Sequence, residues 1–219
     1  MSTANPALSP STPPTTPPTT PPLWLAWAAT PRRAMAISLV VSVAVLGGAL
    51  GLNGLGVIGW HAAVRATAVF AYPFWLLAYT AGPLARLTPA PSTRAIRKRR
   101  RAIGLAYFVA QYVHLAAIVG LARVEPVLLE DPVAIYGGGF GFLMIGLMAL
   151  TSNDAAVKRL GGKAWSRLHG LGQLTVAIIY LSSYGGRIAE DLAYWPAFTL
   201  LLGAYGLRAA AAIQTRRRG

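Results

Sequence analysis

Three histidines, His61, His114 and His169, are the side chains of this 219-residue sequence best suited to chemistry. Imidazole is the commonest metal ligand and changes charge near neutrality. There is no cysteine, so disulfides, iron–sulfur sites and thiol redox chemistry are excluded, and any redox function must use a bound cofactor. The sequence holds no nucleotide-binding glycine loop, no metalloprotease motif and no serine nucleophile elbow. It has six Asp and Glu, none central to an apolar stretch, which argues against a proton-coupled carrier built on buried carboxylates.

The elements that must position these histidines are membrane helices. The chain is 55% hydrophobic and 12% charged, where a soluble domain carries about 25% charged residues. The composition predicts an all-α fold, a polytopic membrane helix bundle of about six transmembrane helices, each needing ~20 apolar residues. The spans are expected near 34–57, 62–84, 102–122, 133–150, 168–185 and 192–211. Pro73, Gly82 and Pro83 are expected to kink or end the second. Gly137, Gly138, Gly139 and Gly141 open the fourth, as small residues for close packing or as clearance for a cofactor. Residues 1–22 read as a disordered Pro/Thr-rich tail, 23–33 as an interfacial segment with Trp24 and Trp27, 34–211 as the transmembrane domain and 212–219 as a basic tail. Arg32 and Arg33 could open an export signal, but the long apolar run and the spans beyond it favour a membrane helix.

Basic residues decide the orientation, because translocation disfavours them. Two in the first tail, seven in the second-to-third loop, four in the fourth-to-fifth loop and four at the C-terminal end put 17 of the 20 Lys and Arg on one side. Only Arg65, Arg123 and Arg187 lie opposite. Both termini are therefore expected in the cytoplasm. The formal charge of +14 then serves topology and contact with the lipid bilayer, and no nucleic-acid partner is expected.

His114 follows Arg101 by 13 residues, which places it ~20 Å into the third span. Gln111, three residues earlier, shares its helical face. At that depth His114 is either a ligand or a structural side chain bonded to another helix. His169 follows Arg167 by two residues and His61 sits beside Trp60 at the far surface, and interfacial roles suit both.

Three segments carry a resemblance. "RRRAIGLAYFVAQYVHL" contains Arg100, Arg101, Gly104, Phe108 and His114; "MALTSNDAAVKRLGGKAWSRLHGLGQL" contains Thr151, Ser152, Trp165, Leu168 and His169; and "YTAGPLARL" ends the second span. Over about residues 60–185 these resemble the ferric-reductase-like transmembrane family, most closely the haem-binding membrane subunit of the bacterial periplasmic methionine sulfoxide reductase system. The resemblance implies an oxidoreductase membrane subunit of the bacterial inner membrane, binding haem b through axial His and passing electrons across the bilayer. It makes His114 and His169 metal-ligand candidates, adds His61 as an outer partner, and assigns Arg100, Arg101 and Arg167 to haem propionates or an anionic donor. A quinone or a flavin reductase would be the donor, since no flavin or nicotinamide domain follows the last span, and a periplasmic protein the acceptor.

The sequence departs from that pattern at Ser182, where the family has a further His thirteen residues after the one matching His169. Counted from Arg101 and Arg167, His114 and His169 also belong to different depths, so one haem cannot use both unless the helices slide. The alternative expectation is a haem-less relative that serves as a structural or partner-binding membrane protein.

Overall fold

The computed structural model describes residues 22–189 and 191–218, so the Pro/Thr-rich tail up to residue 21 lies outside the described residues. The described chain is a membrane helix bundle of seven α-helices: α1 (Pro31–Asn53), α2 (Val57–Leu87), α3 (Pro91–Val124), α4 (Pro132–Leu150), α5 (Asp154–Leu160), α6 (Gly162–Gly185) and α7 (Trp195–Arg218). Four helical segments are long and apolar enough to cross a membrane: α1, α2, α3 and Leu192–Arg217, which contains α7. α4 with α5, bent by 103° between them, gives a fifth if the pair is one span. α6 carries Lys163, Arg167, His169 and Gln173 in its first half, which dilutes its apolar run.

Local signals start and stop these helices. Thr30 caps α1 by accepting from Arg33 N at 3.2 Å, with Pro31 in the first turn. The helix stops at Gly54, whose φ of +82° suits glycine. The following turn is so tight that a Cβ on Gly59 would meet Gly54 O at 1.7 Å. α2 runs through Pro73 and Pro83 without breaking. α3 begins at Pro91, ten residues before Arg101, so the basic run 94–101 is helix and not loop. Thr93 makes the start possible: its hydroxyl accepts from Ala90 N at 2.9 Å and donates to Thr88 O at 2.8 Å. Asn153 caps α5, and Gly161, with φ +76°, separates it from α6.

α1, α2 and α3 form one tightly packed unit. Ser38 of α1 donates to Ala106 O of α3 at 2.7 Å, and the Trp60 ring of α2 lies where a Cβ on Gly120 of α3 would be. The segment Leu23–Ala28 joins this unit: Leu25 and Ala28 are buried with Ala78, Ile103 and Ala106, and Arg99 donates to Leu25 O. α4 packs antiparallel on α6, with Gly141 against Ile179 and Met148 against Gly172. α7 is tied in by Tyr72 donating to Ala197 O at 2.8 Å and Tyr205 donating to Ala177 O at 2.6 Å. Between these layers lies an aromatic core containing Tyr72, Trp75, Tyr79, Tyr107, Tyr180 and Tyr184. The connections make α3 and α6 run in the same direction, from the end that collects the basic residues, here the basic end, toward the far end.

Candidate functional site

His114 sits on α3 opposite Thr67 of α2, with Nδ1 and Oγ1 2.9 Å apart. Thr67 is 1% exposed, and its single hydroxyl proton is committed to Ala63 O at 2.7 Å. The histidine must therefore donate, Nδ1–H to Oγ1, which leaves the lone pair on Nε2. The backbone of Val64 is a further hydrogen-bond partner of the ring. An imidazole oriented through one nitrogen with the other free is how a metal-ligating histidine is held.

The register between α3 and α6 is set one turn below. Gln111 donates to Tyr107 Oη at 3.0 Å and to Tyr180 Oη at 2.9 Å, a buried polar knot in an apolar core. His114 is three residues beyond Gln111 and Ser182 two beyond Tyr180, so the two stand within about 2 Å in height. His169 lies eleven residues before Tyr180, which puts it ~21 Å lower than His114, level with Arg100. The structure does not bring the two histidines together. The position level with His114 on α6 is Ser182, exposed, its hydroxyl donating to Ile179 O at 3.0 Å.

The start of α4 lies at the height of His114. The His114 and Phe142 rings are 6.3 Å apart, which brings α4 alongside. Gly138 is three residues from Gly141, the partner of Ile179, and so shares the height of Ser182. No atom lies within 4 Å of a Cβ built on Gly137, Gly138 or Gly139, whereas Gly141 and Gly146 pack against Ile179 and Tyr112. The glycine run thus divides into a packed part and an open part. Two turns below the Gln111–Tyr180 bond, Gly104 likewise meets nothing within 4 Å, and the buried Oε1 of Gln173, at the same height on α6, has no partner. This open glycine and unpartnered acceptor lie about ten residues below His114, and the residue set that suits a cofactor at the height of His114 is the imidazole itself.

The other candidates are engaged elsewhere. His169 stacks on Trp165 at 4.1 Å, and its Nε2 lies 3.1 Å from Thr151 Oγ1. Thr151 spends its proton on Leu147 O at 2.7 Å, so His169 Nε2–H donates to it and that nitrogen is taken. Trp165 Nε1 also donates to Thr151 O at 2.9 Å, which makes this group a clasp between the end of α4 and the start of α6. His61 Nε2 pairs with Glu125 Oε2 at 2.6 Å at the far end. Arg101 pairs with Asp154 at 3.2 Å, tying α3 to α5, and Arg167 is exposed on α6. Arg100 is exposed on α3. Among the described residues no three His, Cys, Asp or Glu side chains gather as a metal-ion site.

Sequence reasoning missed Thr67, Tyr180 and Gln173. A threonine or tyrosine inside a span carries no signal until its partner on another helix is known. Gln173 could have been found, four residues after His169 and on its face.

Among proteins of known name, the chain is 30% identical over 159 residues to the protein-methionine-sulfoxide reductase heme-binding subunit MsrQ of Azospira oryzae, an alignment covering 66% of each chain. It is 36% identical over 102 residues to MsrQ of Caulobacter vibrioides, covering 44% of this chain and 47% of that one. It is 28% identical over 106 residues to the magnetosome protein MamZ of Magnetospirillum gryphiswaldense, covering 46% of this chain and 16% of that one. The chain thus spans 16%, 47% and 66% of these relatives' lengths. No family model and no solved structure matches it. With α3 and α6 carrying the two histidines inside a membrane helix bundle, these likenesses support placing the chain with the heme-binding subunits MsrQ.

Proposed function

We propose that this chain is a haem b electron-transfer protein of ferric-reductase-like type, an oxidoreductase membrane subunit that passes electrons across the bacterial inner membrane to an acceptor outside. The observation that carries this reading is His114, deep in α3, with Nδ1–H fixed on Thr67 and the lone pair on Nε2. The likeness to proteins named as heme-binding supports it. A bound haem supplies reversible one-electron chemistry at iron. The chain's own residues would hold and orient it: His114 through Nε2, the open glycines of α4 by leaving room. Arg100, Arg101 and Arg167 at the basic end suit propionates or an anionic donor. His169 and His61, held through Nε2 on Thr151 and Glu125, would each offer Nδ1 as a second ligand. In this reading the basic end faces the cytoplasm with both termini, electrons arrive there from a quinone or a flavin reductase, and a periplasmic protein receives them.

The test is an absorbance spectrum of the detergent-purified protein. A Soret band with reduced α and β bands that is lost in His114→Ala supports the proposal; a spectrum without visible bands, from cells supplied with haem, rejects it. A second reading has its own observation. Ser182, level with His114 on α6, is exposed and carries no imidazole, and His169 lies ~21 Å lower. That arrangement favours a haem-less relative acting as a structural or partner-binding membrane protein, which the same spectrum would reveal.

A further inference from the structure

Arg65 and Arg187 converge on one side chain at the far end of the bundle. Each guanidinium lies 5.8 Å from the centre of the Tyr194 ring, Arg65 reaching from α2 and Arg187 from the turn after α6. Both arginines are exposed, and neither has an ion pair among the described residues. Among the described residues, Glu125 holds His61 and Asp191 accepts from Ala193 N at 2.8 Å. Two of the three basic residues on the side with few thus meet at one ring, against the charge pattern that orders the rest of the chain.

The place is recessed. α6 ends at Gly185, five residues beyond Tyr180, whereas α3 continues thirteen residues beyond Gln111 to Val124. The α6–α7 turn therefore lies ~12 Å below the end of α3. Arg65 is two residues from Thr67, the partner of His114, so the step brings the outside surface within about a helical turn of the height of the imidazole.

We infer that Arg65, Tyr194 and Arg187 form the docking point for an acidic surface patch on the soluble protein that receives electrons. This rests on the electron-transfer reading above. A partner carboxylate seats between the two guanidiniums, and the recess lets that partner approach the level of His114 more closely than the ends of α2 and α3 would allow. Electrostatic attraction of this kind sets encounter rate and orientation and weakens with salt.

Succinylated cytochrome c, whose lysines have become carboxylates, serves as the acidic probe and native cytochrome c as its basic counterpart. Right-side-out membrane vesicles carrying the protein are sedimented with each, and vesicles without it give the background. We expect succinylated cytochrome c to be retained above background, with Arg65→Gln and Arg187→Gln each weakening retention about two- to five-fold and the double variant combining both losses. Arg65→Lys, which keeps the charge, retains most binding, and Arg123→Gln, away from the patch, changes little. Equal retention by the double variant and wild type, an equal loss with native cytochrome c, or an equal loss in Arg123→Gln overturns the docking point. Because retention needs no haem, a visible spectrum of the same vesicles decides the electron-transfer reading separately.

Discussion

Replacing Thr67 with valine removes the side-chain hydrogen bond that orients His114 while leaving the volume nearly unchanged. When Nε2 ligates iron, the proton must stay on Nδ1, and in wild type it is given to Thr67 at 2.9 Å. In Thr67→Val that N–H is left in apolar surroundings, a cost of about 1–3 kcal/mol. The cost falls mainly on the haem-bound state, because without iron the ring can rotate or change tautomer to find another partner. The corresponding loss of affinity is about ten- to a hundred-fold, in the range expected for a partner that orients a metal ligand. Haem transfer from the purified protein to a scavenging apoprotein, followed at the Soret band, measures it. Thr67→Ser, which keeps the hydroxyl, should lose haem at close to the wild-type rate. If Thr67→Val binds haem as tightly as wild type, with the same spectrum, the assignment of Nε2 as the free ligand nitrogen is wrong.

Three further outcomes follow from the same geometry. Ser182→His places an imidazole within about 2 Å of the height of His114; the spectrum should move toward that of six-coordinate low-spin haem, with sharper reduced α bands and reduced binding of carbon monoxide. Gln111→Leu leaves the buried Tyr107 and Tyr180 hydroxyls without their amide partner, and thermal unfolding in detergent should show a loss of about 1–3 kcal/mol. Gly59→Ala puts a methyl group on a carbonyl it cannot avoid, 1.7 Å from Gly54 O, so the yield of monodisperse protein in size-exclusion chromatography should fall sharply.

Much of the architecture was legible in advance because membrane helices are written in long apolar runs and their flanks in charge. The helices fall close to the expected segments, and Gln111 and His114 both lie on α3, the first bonded to Tyr180 of α6 and the second to Thr67 of α2. The start of α3 was hidden, since a run such as RKRRR reads as loop, and only Pro91 and the bonds of Thr93 show that helix continues through it. In the site, the histidines and the substitution at Ser182 could be read directly. What each histidine touches could not: Thr67 is 47 residues from His114 and Thr151 18 from His169, and those contacts exist only once the helices are aligned. The alignment itself is set by Tyr180, one tyrosine among nine.

The knot of Tyr107, Gln111 and Tyr180 locks α3 against α6 using protein atoms alone. Nothing in that lock depends on iron, so the scaffold can assemble in the bilayer before any prosthetic group arrives and keep its shape when one leaves. In the electron-transfer reading, haem would load into a frame that is already set.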